Sequence, residues 1–337
     1  MRHFGIDVHL RASEICEVDG GGGVVGRDRI STTEASLGRF FGGRGRWRVV
    51  LESSGMSAWV ARLLEEVGHE VVVVNPRRMR LIAESTLKCD RVDAEVLARF
   101  SRLDPTLVAP VYQRSQEAQE LRTRLRVRQS LVRTRTGLIN AVRGTLRAHG
   151  YRMGSATARR FVGHFVELKL SAELRSALDP LIETLAGVTA RIEQLDRELE
   201  ALSRSDELLE RLQTVPGVGP LVGVSFVAWV DRAERFTRSR DVGACLGLRP
   251  RLRASGGQEQ RGRITREGDS EMRRLLVQAA HAALRSRQDS ALKHWAEQLA
   301  MRVGKKKALV ALARKIGVLL HHLWVTGESF EPFPQAA

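Results

Sequence analysis

A mixed α/β sheet covered by helices, followed by a long helical region, is the fold class this sequence predicts. Three observations point there. Short β-rich runs fill residues 3 to about 75, helical stretches alternate with the later ones, and beyond residue 112 apolar residues recur mainly at helical spacing. Phe4 to His9, Ser13 to Val18, Val24 to Ile30, Arg48 to Glu52 and Val71 to Asn75 read as strands, with the Gly-rich turn Asp19 to Gly23 joining the second to the third. Helices are expected near Thr33 to Phe41 and Ser57 to Val67. Val71 to Val74 is apolar throughout, as a strand buried on both faces should be. After Asn75-Pro76 a helical segment leads into a helix through Asp90 and Asp93, which stops at Asp104-Pro105.

Four acids stand out on this framework. Asp7 lies in the first strand between Ile6 and Val8, Glu52 ends the fourth, and Asp90 and Asp93, three residues apart, project from one face of a helix. Taken singly, each reads as a solvated surface residue. Their order is the layout of an RNase H-like fold that holds two metal ions, typically about 3.5–4 Å apart, against both the attacking and leaving oxygens of a phosphodiester. Carboxylates suit Mg²⁺, so Asp7, Glu52, Asp90 and Asp93 are the expected metal ligands.

The 337-residue chain carries 55 Lys and Arg against 39 acids, a net charge of +16, which marks a polyanion binder. A membrane-surface role would want a basic helix with exposed aromatics, and aromatic residues are 5%. No bilayer-crossing apolar run and no secretory leader is expected. Cys16, Cys89 and Cys245 share no metal-type spacing, which argues against zinc and for a reducing, cytoplasmic setting, nucleoid-associated if nucleic acid is the partner.

Between residues 112 and 152 arginines, including Arg122, Arg124, Arg126, Arg128, Arg133 and Arg135, face only Glu117 and Glu120. Leu121, Leu125, Leu131, Leu138, Val142 and Leu146 keep a helical stripe, so this is one long helix or a pair ending at Gly150, read as a phosphate-binding surface. From Leu174 through Leu178, Leu181, Leu185, Val188, Ile192, Leu195 and Leu199 to Leu202 the spacing alternates between four and three, the seam of a coiled coil. A core helix within one domain would use such a seam, but its run of four heptads favours self-association. Pro216-Gly217-Val218-Gly219-Pro220 resembles the hairpin of a helix-hairpin-helix motif, where Gly217 and Gly219 would let backbone N–H groups approach a phosphate. Arg253, Ala254, Ser255, Gly256 and Gly257 read as a small-residue loop among basic residues. Met272 to Leu284 and Lys305 to Trp324 close the chain as helices.

Taken in order, Gly5-Ile6-Asp7-Val8-His9, Leu51-Glu52-Ser53-Ser54-Gly55, Lys88-Cys89-Asp90-Arg91-Val92-Asp93-Ala94, the 216–220 turn and the run from Gly247-Leu248-Arg249-Pro250 through Ser255 to Gly268-Asp269 resemble the DEDD transposases of bacterial insertion sequences whose elements encode a bridge RNA. The resemblance, which spans nearly the whole chain, implies a RuvC-like (RNase H-like) catalytic domain over 1–110 that uses the four acids with Mg²⁺. It implies an Arg-rich helix and coiled coil over 111–205 for RNA binding and oligomerisation, then a mostly helical transposase domain over 206–337. There a serine attacks DNA phosphate covalently, and the matching position is Ser255, with Arg253 close by to offset the developing charge. Donor and target DNA, a structured guide RNA and a homo-oligomer, dimer or tetramer, are the implied partners. In that assembly the acids of one subunit would meet the serine of another. Cys89 departs from the family, where threonine is more usual. Three other readings compete: a RuvC-like nuclease or Holliday-junction resolvase in which Ser255 only turns the chain, a non-catalytic nucleic-acid binder, and an actin-like ATPase. The last rests on Gly5-Ile6-Asp7 with Gly20 to Gly23, against a +16 charge and no second phosphate loop.

Overall fold

The computed structural model describes residues 2–43, 45–76, 90–102, 110–255 and 258–334, excluding the side chains of 253–255 and 258–261. The chain divides into two units, Met1–Arg114 and Ser115–Ala337.

In the N-terminal unit β1 (His3–Val8), β2 (Ala12–Val18), β3 (Val24–Ser31), β4 (Arg48–Glu52) and β5 (Glu70–Val74) form one sheet in the order β3-β2-β1-β4-β5. Each strand lies within one residue of its sequence-derived bounds. β1, β2 and β3 pair antiparallel, whereas β1, β4 and β5 pair parallel. Because side chains alternate across a strand, the two faces have separate cores. Phe4 and Ile6 of β1 and Val49 and Leu51 of β4 pack with Phe41 of α1 (Glu34–Phe41) and Val60 and Leu64 of α2 (Ser57–Glu66). On the other face lies α3 (Asp90–Phe100), whose Leu97 and Phe100 meet Val50, Val72 and Val74 while Ala94 and Ala98 meet Cys16 and Val18. Burial on both sides is why β4 and β5 read as nearly continuous apolar runs.

The C-terminal unit begins with α4 (Gln116–Ala148) and, after the short α5 (Phe161–Val166), α6 (Ala172–Arg204). Both long helices have 33 residues, roughly 50 Å at 1.5 Å per residue. They pack antiparallel. Val142 and Leu146 near the end of α4 share a core with Leu174, Leu178, Ile182 and Leu185 near the start of α6, and Leu121 and Leu125 meet Leu199 at the opposite end. The heptad seam is therefore occupied within the chain, with Ile182 buried in place of Leu181 and Leu202 left 37% exposed. A second copy of the chain is not needed to cover it.

Among the described residues six further helices follow: α7 (Glu207–Gln213), α8 (Pro220–Val230), α9 (Arg240–Cys245), α10 (Ser270–Arg285), α11 (Ala291–Val303) and α12 (Lys305–Thr326). Two expectations need correction. The 250–264 stretch is not a loop but an antiparallel hairpin, β6 (Pro250–Ser255) with β7 (Gln258–Ile264). Neither strand is rich in β-branched residues, so composition hid them, although the Gly256-Gly257 dipeptide between them is a hairpin signal. Second, α12 is long and apolar enough to cross a membrane by length and composition. Its Leu312, Ala313, Ile316 and Leu320 are wholly buried in the C-terminal core, which accounts for that apolarity.

Asp269 fastens α4 to this core. It caps α10, accepting hydrogen bonds from Glu271 N at 3.0 Å and Met272 N at 2.9 Å, and accepts a third from Arg122 Nη2 at 2.7 Å. Burial alone would raise its carboxyl, but these donors outweigh burial and hold it below the ordinary carboxylate value. A depressed carboxyl stabilises above its unfolded value and loses that contribution as pH falls through the folded one. Asp269→Asn, which keeps a capping oxygen but not the charge, should cost about 1–2 kcal/mol at neutral pH. In denaturant titrations the gap to the parent protein should close as pH drops below about 4.

A candidate metal centre and its setting

Gly5 decides where the acids meet. A Cβ there would lie 2.1 Å from Ala94 O and 2.2 Å from Ala98 N, so α3 rests its backbone directly on β1. Any larger residue would push the helix off the sheet. Arg27 of β3 holds the same helix through an ion pair with Glu95 and a 3.3 Å bond to Arg91 O, while Arg48 Nη1 reaches Ser101 O just past its end at 3.4 Å.

Asp7 shares the Gly5 side of β1 by strand parity, which brings it under the first turn of α3. Its Oδ2 lies 3.1 Å from His9 Nε2, and the same nitrogen lies 3.4 Å from Asp90 Oδ2. Among the described residues Asp7, His9 and Asp90 form the group of potential metal ligands, with donor atoms all within 4.8 Å of one another. Asp93 and Glu52 fall outside that group. Asp93 is exposed one turn along α3, and Glu52 follows the Ile6–Leu51 register pair, so its backbone continues β4 beside Asp7 on β1. Parity with Val50 turns Glu52 to the α3 face as well.

The electrostatics of the cluster follow from its burial and its charges. Burial raises the Asp7 carboxyl above its ordinary value; His9 pulls it back, and Asp90 and Asp93 push it up again. The His9 ring nitrogen lies between the two carboxylates, the place where a cation would have both within reach. The oxygens of Asp7 and Asp90 are donors that Mg²⁺ accepts, whereas the His9 nitrogen suits Mn²⁺ or a later metal better. Sequence reasoning missed His9 as part of this cluster. Its signal was the Asp-x-His spacing, which places both side chains on one side of an extended strand.

The expected nucleic-acid residues lie in the C-terminal unit and divide by environment. Arg122 is tied to Asp269, and Arg128 to Asp196 of α6 at 2.5 Å; both are only 17% exposed. Arg124, Arg126 and Arg133 are exposed and Arg135 is half-buried. Gly217, with φ of +85°, has another physical reason to be glycine, because a Cβ would lie 2.1 Å from Ala279 O on α10. Gly219 caps α8 with open space at its Cβ position. Ser255 ends β6, paired across the hairpin with Gln258; its side chain and that of Arg253, together with Lys88, Cys89, Gly256 and Gly257, lie outside the described residues.

Known proteins share this order of parts. A family model described as a transposase, the DEDD type of IS110, matches residues 4–150, and the model of the transposase IS116/IS110/IS902 family matches residues 209–296. A Pseudomonas aeruginosa protein named "Probable family 20 transposase" is 30% identical over 98% of this chain and 99% of its own. The chain belongs to this transposase family. The transposase for insertion sequence element IS1111A of Coxiella burnetii is 29% identical, covering 97% of this chain and 90% of its own. That for IS1328 of Yersinia enterocolitica is 30% identical over 80% of each.

In this transposase a raised Asp7 carboxyl favours the protonated folded state, so its contribution to stability is full below the unfolded value and is lost as pH rises through the folded one. A divalent cation must displace that proton, so cation binding should strengthen with pH. Mn²⁺ or Mg²⁺ should raise the melting temperature at pH 8 and do so less at pH 5, and Asp7→Asn should abolish the difference. Gly5→Ala should destabilise the N-terminal unit by about 1–3 kcal/mol and reduce the cation-induced shift. An unchanged shift would mean that α3 does not set the ligand geometry.

Proposed function

We propose that this protein is an RNA-guided DNA transposase of an insertion sequence, which cleaves and exchanges DNA strands with an acidic Mg²⁺ centre and a serine nucleophile. The observation that carries the reading is the Gly5 contact that brings Asp90 of α3 to Asp7 at the end of the central strand. The sheet order β3-β2-β1-β4-β5, antiparallel then parallel, supports an RNase H-like, RuvC-like domain. Asp7 and Asp90 would hold the ion, with Glu52 and Asp93 beside them on the same face and His9 yielding its place between the carboxylates. A bound Mg²⁺ would supply Lewis-acid polarisation of a phosphate oxygen.

In the C-terminal unit Ser255 Oγ would form a bond to phosphorus as the bond from phosphorus to the departing sugar oxygen breaks. The serine proton leaves to a base or solvent, and the departing oxygen gains one. The resulting phosphoserine ester keeps the phosphodiester's chemical energy for rejoining to a new strand without ATP. Arg253 would offset charge on the phosphate. Position at the end of a β-hairpin strand suits an accessible nucleophile.

Of the six α4 arginines expected to bind nucleic acid, Arg124, Arg126, Arg133 and Arg135 are left for RNA phosphates once Arg122 and Arg128 are committed to Asp269 and Asp196. A homo-oligomer would use surfaces other than the α6 seam, which α4 already covers.

Asp7→Ala and Ser255→Ala should each abolish cleavage of DNA carrying the element's ends while copurifying RNA stays bound. A covalent DNA–protein adduct should form with the parent protein and disappear with Ser255→Ala. Persistence of cleavage without an adduct would instead favour a metal-dependent nuclease. Replacing Arg124, Arg126, Arg133 and Arg135 together should weaken RNA binding and flatten its salt dependence, the log–log slope falling by about 0.7–0.9 for each phosphate that is no longer neutralised. Arg122→Ala should chiefly lower the melting temperature.

A further inference from the structure

Two described residues other than glycine have positive φ: Asp231 at 76° and Arg266 at 59°. Both are held by hydrogen bonds within the chain, but only one has a side chain with a hydrogen-bonded partner among the described residues. The Asp231 carboxylate accepts hydrogen bonds from Ser115 Oγ at 2.7 Å and Ser115 N at 3.0 Å, anchoring the residue that caps α4. Arg266 has no carboxylate partner among the described residues. Its backbone is pinned in the left-handed region by a 3.1 Å bond from its N–H to Gly247 O, at the root of the β6–β7 hairpin.

Beside it is a cavity of about 320 Å³. Ile264, Val277 and Val310 give it an apolar floor, and Arg266, Arg273 and Arg274 give it a basic rim. Arg274 is paired with Glu271. Arg273 is not so balanced: its Nη1 donates to two carbonyls, Leu246 O at 3.1 Å and Glu267 O at 2.6 Å. Burial lowers the Arg273 guanidinium from its ordinary value, Asp269 opposes this, and the Arg266 charge lowers it further. Two guanidinium groups without a carboxylate bound to them thus line one cavity, and no acid is among the described residues that line it. One step along the helical ridge on either side of Val310, Lys306 and Arg314 extend the positive surface.

We infer that this cavity binds a nucleic-acid backbone phosphate, with Arg266 as its principal contact and the apolar floor taking the attached sugar. A strand held there is gripped at the root of the hairpin that ends in Ser255. A phosphate in this cavity meets two guanidinium-bearing side chains and gives Arg266 the bidentate partner that it lacks among the described residues. The strained backbone is then the cost of aiming that side chain. The inference rests on the proposed function for the nature of the ligand and not for any step of cleavage.

The test uses the full-length protein, a short fluorescent single-stranded DNA and the RNA of the same sequence, with affinity measured across a salt series. Arg266→Gly should weaken binding about tenfold at low salt and reduce the log–log salt slope by about 0.7. It should also raise the melting temperature by about 2–4 °C, because glycine accepts the left-handed backbone without strain. Arg302→Ala, which removes an equal charge from the exposed end of α11, should change affinity less than twofold. Loss in the DNA arm assigns the site to DNA, and loss confined to the RNA arm assigns it to RNA. Equal effects of Arg266→Gly and Arg302→Ala in both arms, or a melting temperature lowered by Arg266→Gly, would overturn the inference. The readout is equilibrium affinity and needs no cleavage, so failure of the serine chemistry and failure of this site are separate results.

Discussion

The absence of a side chain at Gly5 is the constraint on which the N-terminal unit depends. An ordinary residue would hold α3 away from β1, and the acids on the helix would rise with it. With glycine there, the main chain of the helix lies against the strand, and Asp90 comes within reach of a nitrogen that also touches Asp7. Alanines complete the fit, since Ala94 and Ala98 are the helix residues packed with Cys16 and Val18 of β2. Arg27 and Arg48 then fasten the helix near its two ends. Packing thus gathers acids at the end of the sheet's central strand, where burial first, and then Asp90 and Asp93, raise the Asp7 carboxyl.

Positive charge in the C-terminal unit is used in two ways. Arginines on the inner side of α4 meet acids and hold the long helix to its neighbours, whereas those on the outer side meet none among the described residues. The same contrast holds around α10, where Arg274 is neutralised within the fold and Arg266 is not. Net charge says only that a polyanion is wanted. Which cations are free for it depends on which carboxylates the fold has already placed beside the others.

Much of the N-terminal architecture was legible because strands in a two-sided core must be apolar or alternate, and because Gly-rich turns separate them. All five strand bounds follow from that. The two long helices were equally plain, but the partner of the α6 seam was not: a heptad pattern specifies an apolar stripe and says nothing about whether the covering helix comes from the same chain. Leu121, Val142 and Leu146 supplied it. The β6–β7 hairpin escaped because its residues, several of them arginines, have no strand preference of their own. His9 escaped because a lone histidine after a strand has no fixed meaning until a helix from elsewhere sets a carboxylate opposite it.

By itself the sequence determined the order of the N-terminal strands and of the two long helices, the excess of positive charge and the four acids that merit attention, since these follow from local periodicity and composition. The tertiary structure alone decided that Asp7, His9 and Asp90 converge, that Arg122 and Arg128 serve the fold, and that Gly217 answers to α10. The physical reason is the same in each case. Electrostatic and steric partners act over a few ångströms in space, and residues so placed lie tens to more than a hundred positions apart along the chain.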